Sequence, residues 1–132
     1  MSKFALTVVG EDHKVNVELA VPGGWSTDAA DPPSWKLDGA RLLSLAAVSP
    51  GGRDDASRVA AAIKMQYADL AGAVRADYPD GRVWIAHPEG ANVHARMFVP
   101  YAGGVVMGVA MLSDASKVDG VKAAFETLKI AP

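Results

Sequence analysis

The chain has 132 residues, 50% of them hydrophobic and 21% charged, which is enough for one packed domain and too few for two. With 13 basic and 15 acidic side chains the net charge is -2, so the concentrated positive field that binds phosphate backbones is missing and no nucleic-acid partner is expected. The absence of cysteine excludes disulfides, thiolate metal sites and a cysteine nucleophile.

Phe4, Leu6 and Val8 alternate with Ala5, Thr7 and Val9, and after the polar stretch Gly10-Glu11-Asp12-His13 the residues Val15, Val17, Leu19 and Val21 alternate with Asn16, Glu18 and Ala20. This two-residue period predicts an opening hairpin, stopped by Pro22-Gly23-Gly24. Prolines, glycines and aspartates between 22 and 40 predict a loop with at most one short strand at 34–37. Its two tryptophans, Trp25 and Trp35, fold back on the core in the plainest reading. Arg41 to Val48 is β-like and ends at Ser49-Pro50-Gly51-Gly52.

A helix follows, capped by Asp54 or Asp55. Its stripe of Ala56, Val59, Ala60, Ile63, Tyr67, Leu70 and Val74 predicts one helix reaching the turn Tyr78-Pro79-Asp80-Gly81. Strands at 82–87, 92–100 and 104–112 are joined by short connections and read as an antiparallel meander. Val118, Val121, Phe125 and Leu128 mark a closing helix.

With Glu89-Gly90 at the hairpin centre, His87 faces Asn92, Ile85 faces His94 and Val83 faces Arg96, all on one side of the sheet. Trp84, Ala86, Val93, Ala95, Met97 and Val99 take the other side. The strand from Gly104 to Leu112 is apolar on both sides, which requires a layer above and a layer below it. The expected fold is α+β: a mostly antiparallel sheet of five or six strands flanked by helices in α/β/α-like layers, with residues 1–132 forming a single domain.

His87, His94 and Arg96, with Glu89, form the one polar cluster that this register assembles. It reads as a two-histidine metal site, as an anion pocket, or more plainly as a solvated sheet edge. Because no third ligand has suitable spacing, no metal is expected. Ser44 and Ser49 lack a nucleophile elbow, Asp54 and Asp55 serve as helix caps, and the paired glycines are turns, so no catalytic residue and no cofactor are expected. Met97, Met107 and Met111 read as core. The loop bearing Trp25 and Trp35 is longer than a connection needs. The candidate partner-binding residues are therefore Trp25, Trp35, His87, His94 and Arg96.

The stretch Val21-Pro22-Gly23-Gly24-Trp25, the strand Gly104-Val105-Val106-Met107-Gly108-Val109-Ala110 and the ending Phe125-Glu126-Thr127-Leu128-Lys129-Ile130 resemble the Mog/PsbP-like superfamily. The resemblance implies a three-layer domain that binds proteins and brings no invariant catalytic residue. Its members include photosystem accessory subunits, a Ran-binding nuclear transport factor, bacterial lipoproteins and chaperones for secreted effectors. The expected function is thus a non-enzymatic protein-binding or accessory role. The competing reading is a small-ligand carrier or minor enzyme with a pocket between sheet and long helix, near Tyr67, Trp84 and Met97. A two-sided apolar sheet also makes a homodimer the expected assembly. No stretch has the ~20 apolar residues of a membrane span. As it stands the chain carries no address, so the cytoplasm is expected, or export if a signal peptide preceded it.

Overall fold

The computed structural model describes residues 1–28 and 31–131. Strands β1 (Ser2–Thr7) and β2 (Lys14–Leu19) form the opening hairpin, followed by β3 (Ser26–Asp28), β4 (Ser34–Lys36) and β5 (Ala40–Val48). Helix α1 (Asp55–Gln66) leads to β6 (Val74–Asp77), β7 (Val83–Glu89), β8 (Asn92–Tyr101) and β9 (Gly104–Leu112). A single 3-10 turn (Ala115–Lys117) precedes α2 (Val118–Glu126), and β10 (Lys129–Ile130) ends the described chain.

The fold is α+β, as expected, built on an antiparallel seven-stranded sheet ordered β3-β4-β5-β9-β8-β7-β6. Its strand count exceeds the five or six read from the sequence for two reasons. Residues 26–28 and 34–36 pair with each other and extend the β5 edge, within the segment read mainly as loop. At the opposite edge, β6 occupies residues assigned to the end of the long helix. The opening hairpin stays outside this sheet and joins β10 in a separate three-stranded one.

Helix α1 begins where the sequence places it. Asp54 accepts from the Ser57 amide at 2.8 Å while the Ser57 hydroxyl accepts from the Asp54 amide at 3.1 Å, a reciprocal cap. Its end comes earlier than the stripe predicts, because Tyr67 turns extended (φ -130°, ψ 119°) and the Asp69 carboxylate accepts from the Ala71 amide at 2.9 Å. The competing demand is tertiary. Val83 to Ala86 are buried, and their outward backbone groups need partners that a continued helix would not supply. Val74–Asp77 supplies them, and its exposed Arg75 and Asp77 suit a sheet edge.

The meander keeps the predicted faces with a register displaced by two residues. Glu89 pairs Asn92, His87 pairs His94 and Ile85 pairs Arg96, so Gly90-Ala91 is the loop. Gly90, at φ 61°, takes the first loop position, where a two-residue hairpin favours glycine. A displacement of two leaves every side chain on its own face.

The two faces have different roofs. On one, Val59, Ala62 and Ile63 of α1 pack on Val48, Val83, Ile85, Phe98, Val105 and Met107. On the other, Val121 and Phe125 of α2 join Leu6, Val15, Val17 and Leu19 of the small sheet over Leu43, Leu45, Trp84, Met97, Val106 and Leu112. That second roof is part helix and part sheet, whereas the sequence reading expected helical layers. Among the described residues no helix is long and apolar enough to cross a membrane.

Candidate functional site

Sheet register fixes what α1 leaves uncovered. Leu42, Met111, His94 and His87 stand in one cross-strand row of the α1 face, and Ser44, Val109, Arg96 and Ile85 in the next. The apolar side chains of α1 settle on the rows beyond, around Phe98, Met107, Val105 and Val48. The first row therefore stays open: Leu42 is 41% exposed, while Met111, His94 and His87 are half-buried. A predominantly β face with only one helix on it carries the candidate site where that helix stops.

Tyr67, the residue that caps the C-terminal end of α1, leans over this boundary. Its ring packs against His87 (centroids 5.9 Å apart) and Phe98 (6.5 Å). The Arg96 guanidinium lies against the same ring, 5.2 Å from its centroid, in cation–π contact. Tyr67, Asp69, His87, Glu89, His94 and Arg96 line a cleft of about 460 Å³.

The polar groups of the cleft are unequally satisfied. His94 Nε2 lies 3.2 Å from Glu89 Oε2, and Asp69 is engaged by its own turn. Arg96 Nε and Tyr67 Oη, in contrast, are enclosed and form no well-aligned hydrogen bond among the described residues. Burial pushes the Tyr67 hydroxyl above its ordinary pKa of 10.0, and the adjacent Arg96 side chain, as donor and as charge, opposes the rise. Arg96 also differs from the other two half-buried arginines. Arg58 and Arg82, each with 12% of its side chain exposed, pair with Asp55 and Asp80, whereas Arg96 has no carboxylate within ion-pair distance among the described residues. A half-buried guanidinium without a counter-charge is energetically costly.

The structure separates the sequence candidates into two groups. His87, His94 and Arg96 come together as a cluster, with His87 and His94 directly paired across the strands rather than offset. Trp25 and Trp35 lie under the opposite face of the sheet. Trp35 is only 4% exposed and packs with Phe4 (5.5 Å between centroids) and Trp25 (5.8 Å), while Trp25 meets Phe125 edge-on at 6.0 Å. The tryptophans form a core lid. Of the residues proposed for a pocket beneath the long helix, Tyr67 does line the cleft, but Trp84 and Met97 point to the other face and are 1% and 0% exposed. Asp69 and the Leu42–Met111 row were not singled out as site residues, because their proximity depends on the early end of α1 and on the pairing of β5 with β9.

Two further hollows are comparable in size or larger. One, of about 460 Å³ between α1 and β6, has Val59, Ala60 and Val83 as its floor, and its arginines Arg75 and Arg82 are already paired with aspartates. The other, of about 690 Å³, is bordered by Lys36, Asp38, Arg41 and Lys117.

No protein-family model, curated protein or solved structure matches this chain. The chemistry of the cleft and the open row is what bears on function.

Proposed function

We propose that the chain is a non-enzymatic accessory domain that binds another protein through the part of the large sheet not covered by α1. The observation that carries this reading is the mixed row Leu42–Met111–His94–His87, open beside a half-buried arginine that has no counter-charge among the described residues. A surface combining apolar side chains with one desolvated guanidinium has the make-up of an interface hot spot. The polar contacts of His13 and His94 are to glutamates, Glu11 and Glu89, and no hydroxyl is bonded to either imidazole among the described residues. A Mog/PsbP-like assignment agrees with this reading, since that superfamily consists of layered domains that bind proteins, and it remains part of the proposal. Trp25 and Trp35 take no part in the surface.

Site-directed photocrosslinking tests the proposal. A photoreactive residue at Met111 is expected to form a discrete adduct in native lysate, and the same residue at Ala123, exposed on α2, is expected to form none. Leu42→Asp should abolish the Met111 adduct while the thermal unfolding transition is retained. Equal labelling from both positions, or an adduct indifferent to Leu42→Asp, refutes the surface.

A further inference from the structure

We infer that the cleft at the C-terminal end of α1 is a carboxylate-binding pocket that takes an acidic side chain of the protein partner, with the Arg96 guanidinium as its charged donor and Tyr67 as the residue that positions it. The inference rests on the proposed binding role and adds the chemistry that the partner must present. Two features point to a carboxylate. The first is the missing counter-charge: the structure gives a carboxylate to each of the other half-buried arginines and none to Arg96 among the described residues. The second is placement. The guanidinium lies 5.2 Å from the centroid of the Tyr67 ring and the Arg96 side chain acts on the Tyr67 hydroxyl, so one positive charge is held at the wall of the cleft that both residues line.

One carboxylate already sits on the wall. Glu89, 64% exposed at the end of β7, rests against His94 at 3.2 Å and does not pair with Arg96. Local negative groups set the limit on affinity. Glu89 and Asp69 face the same cleft and the carbonyl end of α1 closes it, so a simple anion is attracted by one guanidinium against two carboxylates and a helix dipole. The pocket is thus suited to an acidic group delivered by a docked surface, where the apolar row Leu42–Met111 supplies the rest of the contact.

The test is a ¹⁵N NMR titration of the full chain with sodium acetate, run against sodium chloride at equal ionic strength and followed at the Arg96 Nε–H and at the amides of Tyr67, His87 and His94. Saturable shifts are expected, with half-saturation on the order of 10 mM, as befits one charge-assisted contact. Arg96→Gln should weaken them at least about tenfold, or 1.4 kcal/mol. Tyr67→Phe, which keeps the ring and removes only the hydroxyl, should weaken them about threefold and carries the test if Arg96→Gln fails to fold. A capped peptide with a single glutamate should bind no more weakly than acetate. Shifts that match those in chloride, or that survive Arg96→Gln unchanged, overturn the pocket; acetate binding with exclusion of the glutamate peptide overturns its assignment to a protein side chain. Failure here is distinct from failure of the binding role. Adducts from Met111 without acetate binding defeat the pocket alone, and acetate binding without adducts defeats the accessory reading on which its partner depends.

Discussion

Gly108 lies at the centre of the sheet, and substituting it tests whether α2 is seated as described. A methyl group built at this position would stand 2.7 Å from Cγ of Phe125 and 2.8 Å from both of its Cδ atoms. Ordinary carbon–carbon contact begins near 3.5 Å, so the ring would have to retreat by about 0.7–0.8 Å. It has little room to do so, because Phe125 is 0% exposed and Trp25 closes its far side at 6.0 Å. Overpacking of this type costs about 1–3 kcal/mol. For a chain of this size Gly108→Ala should lower the melting temperature by about 3–12 °C, measured by calorimetry and checked by urea unfolding with an unchanged slope. A double-mutant cycle isolates the cause: in a Phe125→Leu background, where the planar ring is gone, the same alanine should cost less by at least about 0.5 kcal/mol. Gly108→Ala as stable as the parent, or a cost unaltered by Phe125→Leu, would show that α2 does not lie on β9 in this way.

Trp35→Ala should destabilise the domain by about 3–5 kcal/mol, as expected for emptying a buried aromatic site, and chemical denaturation measures it; a loss of partner binding at full stability would contradict the core-lid placement. All three tyrosines ionise above their ordinary value of 10.0, Tyr67 and Tyr101 through burial and Tyr78 pushed up to about 12 by burial and by the Glu126 carboxylate bonded to its hydroxyl at 2.7 Å. Above pH 10 the unfolded chain therefore loses protons that the folded chain keeps, and stability falls as the pH rises toward 12. Ultraviolet phenolate titration should show no tyrosine of the folded protein ionising at 10, and Tyr78→Phe should remove the highest transition. At the acid end, Asp31, Asp54 and Asp114 titrate below 3.8 because Thr7, Ser57 and Ser116 respectively donate to their carboxylates. Their stabilising effect is complete above that value and is lost as the pH falls through the lowered ones, so the melting temperature followed by circular dichroism should fall below pH 3.8 and Asp54→Asn should flatten part of the slope.

Much of the architecture was legible in the residues. Alternation in Lys14–Leu19 and in the meander identified strands and their faces, because a two-residue period translates directly into sides of a sheet. The pair Asp54-Asp55 located the start of α1, with Asp54 as the cap, because a cap is a local hydrogen-bonding arrangement. The end of α1 was not legible. Tyr67, Leu70 and Val74 keep a helical spacing, yet the open edge of β7 recruits Val74–Asp77 into the sheet. The candidate site follows the same division. His87, His94 and Arg96 were placed on one face by register, but their relation to Tyr67 depends on the early turn out of α1, and the separation of Trp35 from them depends on β4 pairing with β5.

By itself the sequence determined which residues alternate, which cap and which turn, since these depend on backbone chemistry within a few neighbours. Only the tertiary structure decided that the opening hairpin pairs with β10 in a sheet of its own, that α1 covers part of one face, and that Arg96 lies half-buried with no carboxylate partner among the described residues. Those outcomes depend on competition among distant segments for the same buried surface, and such a competition has no local period.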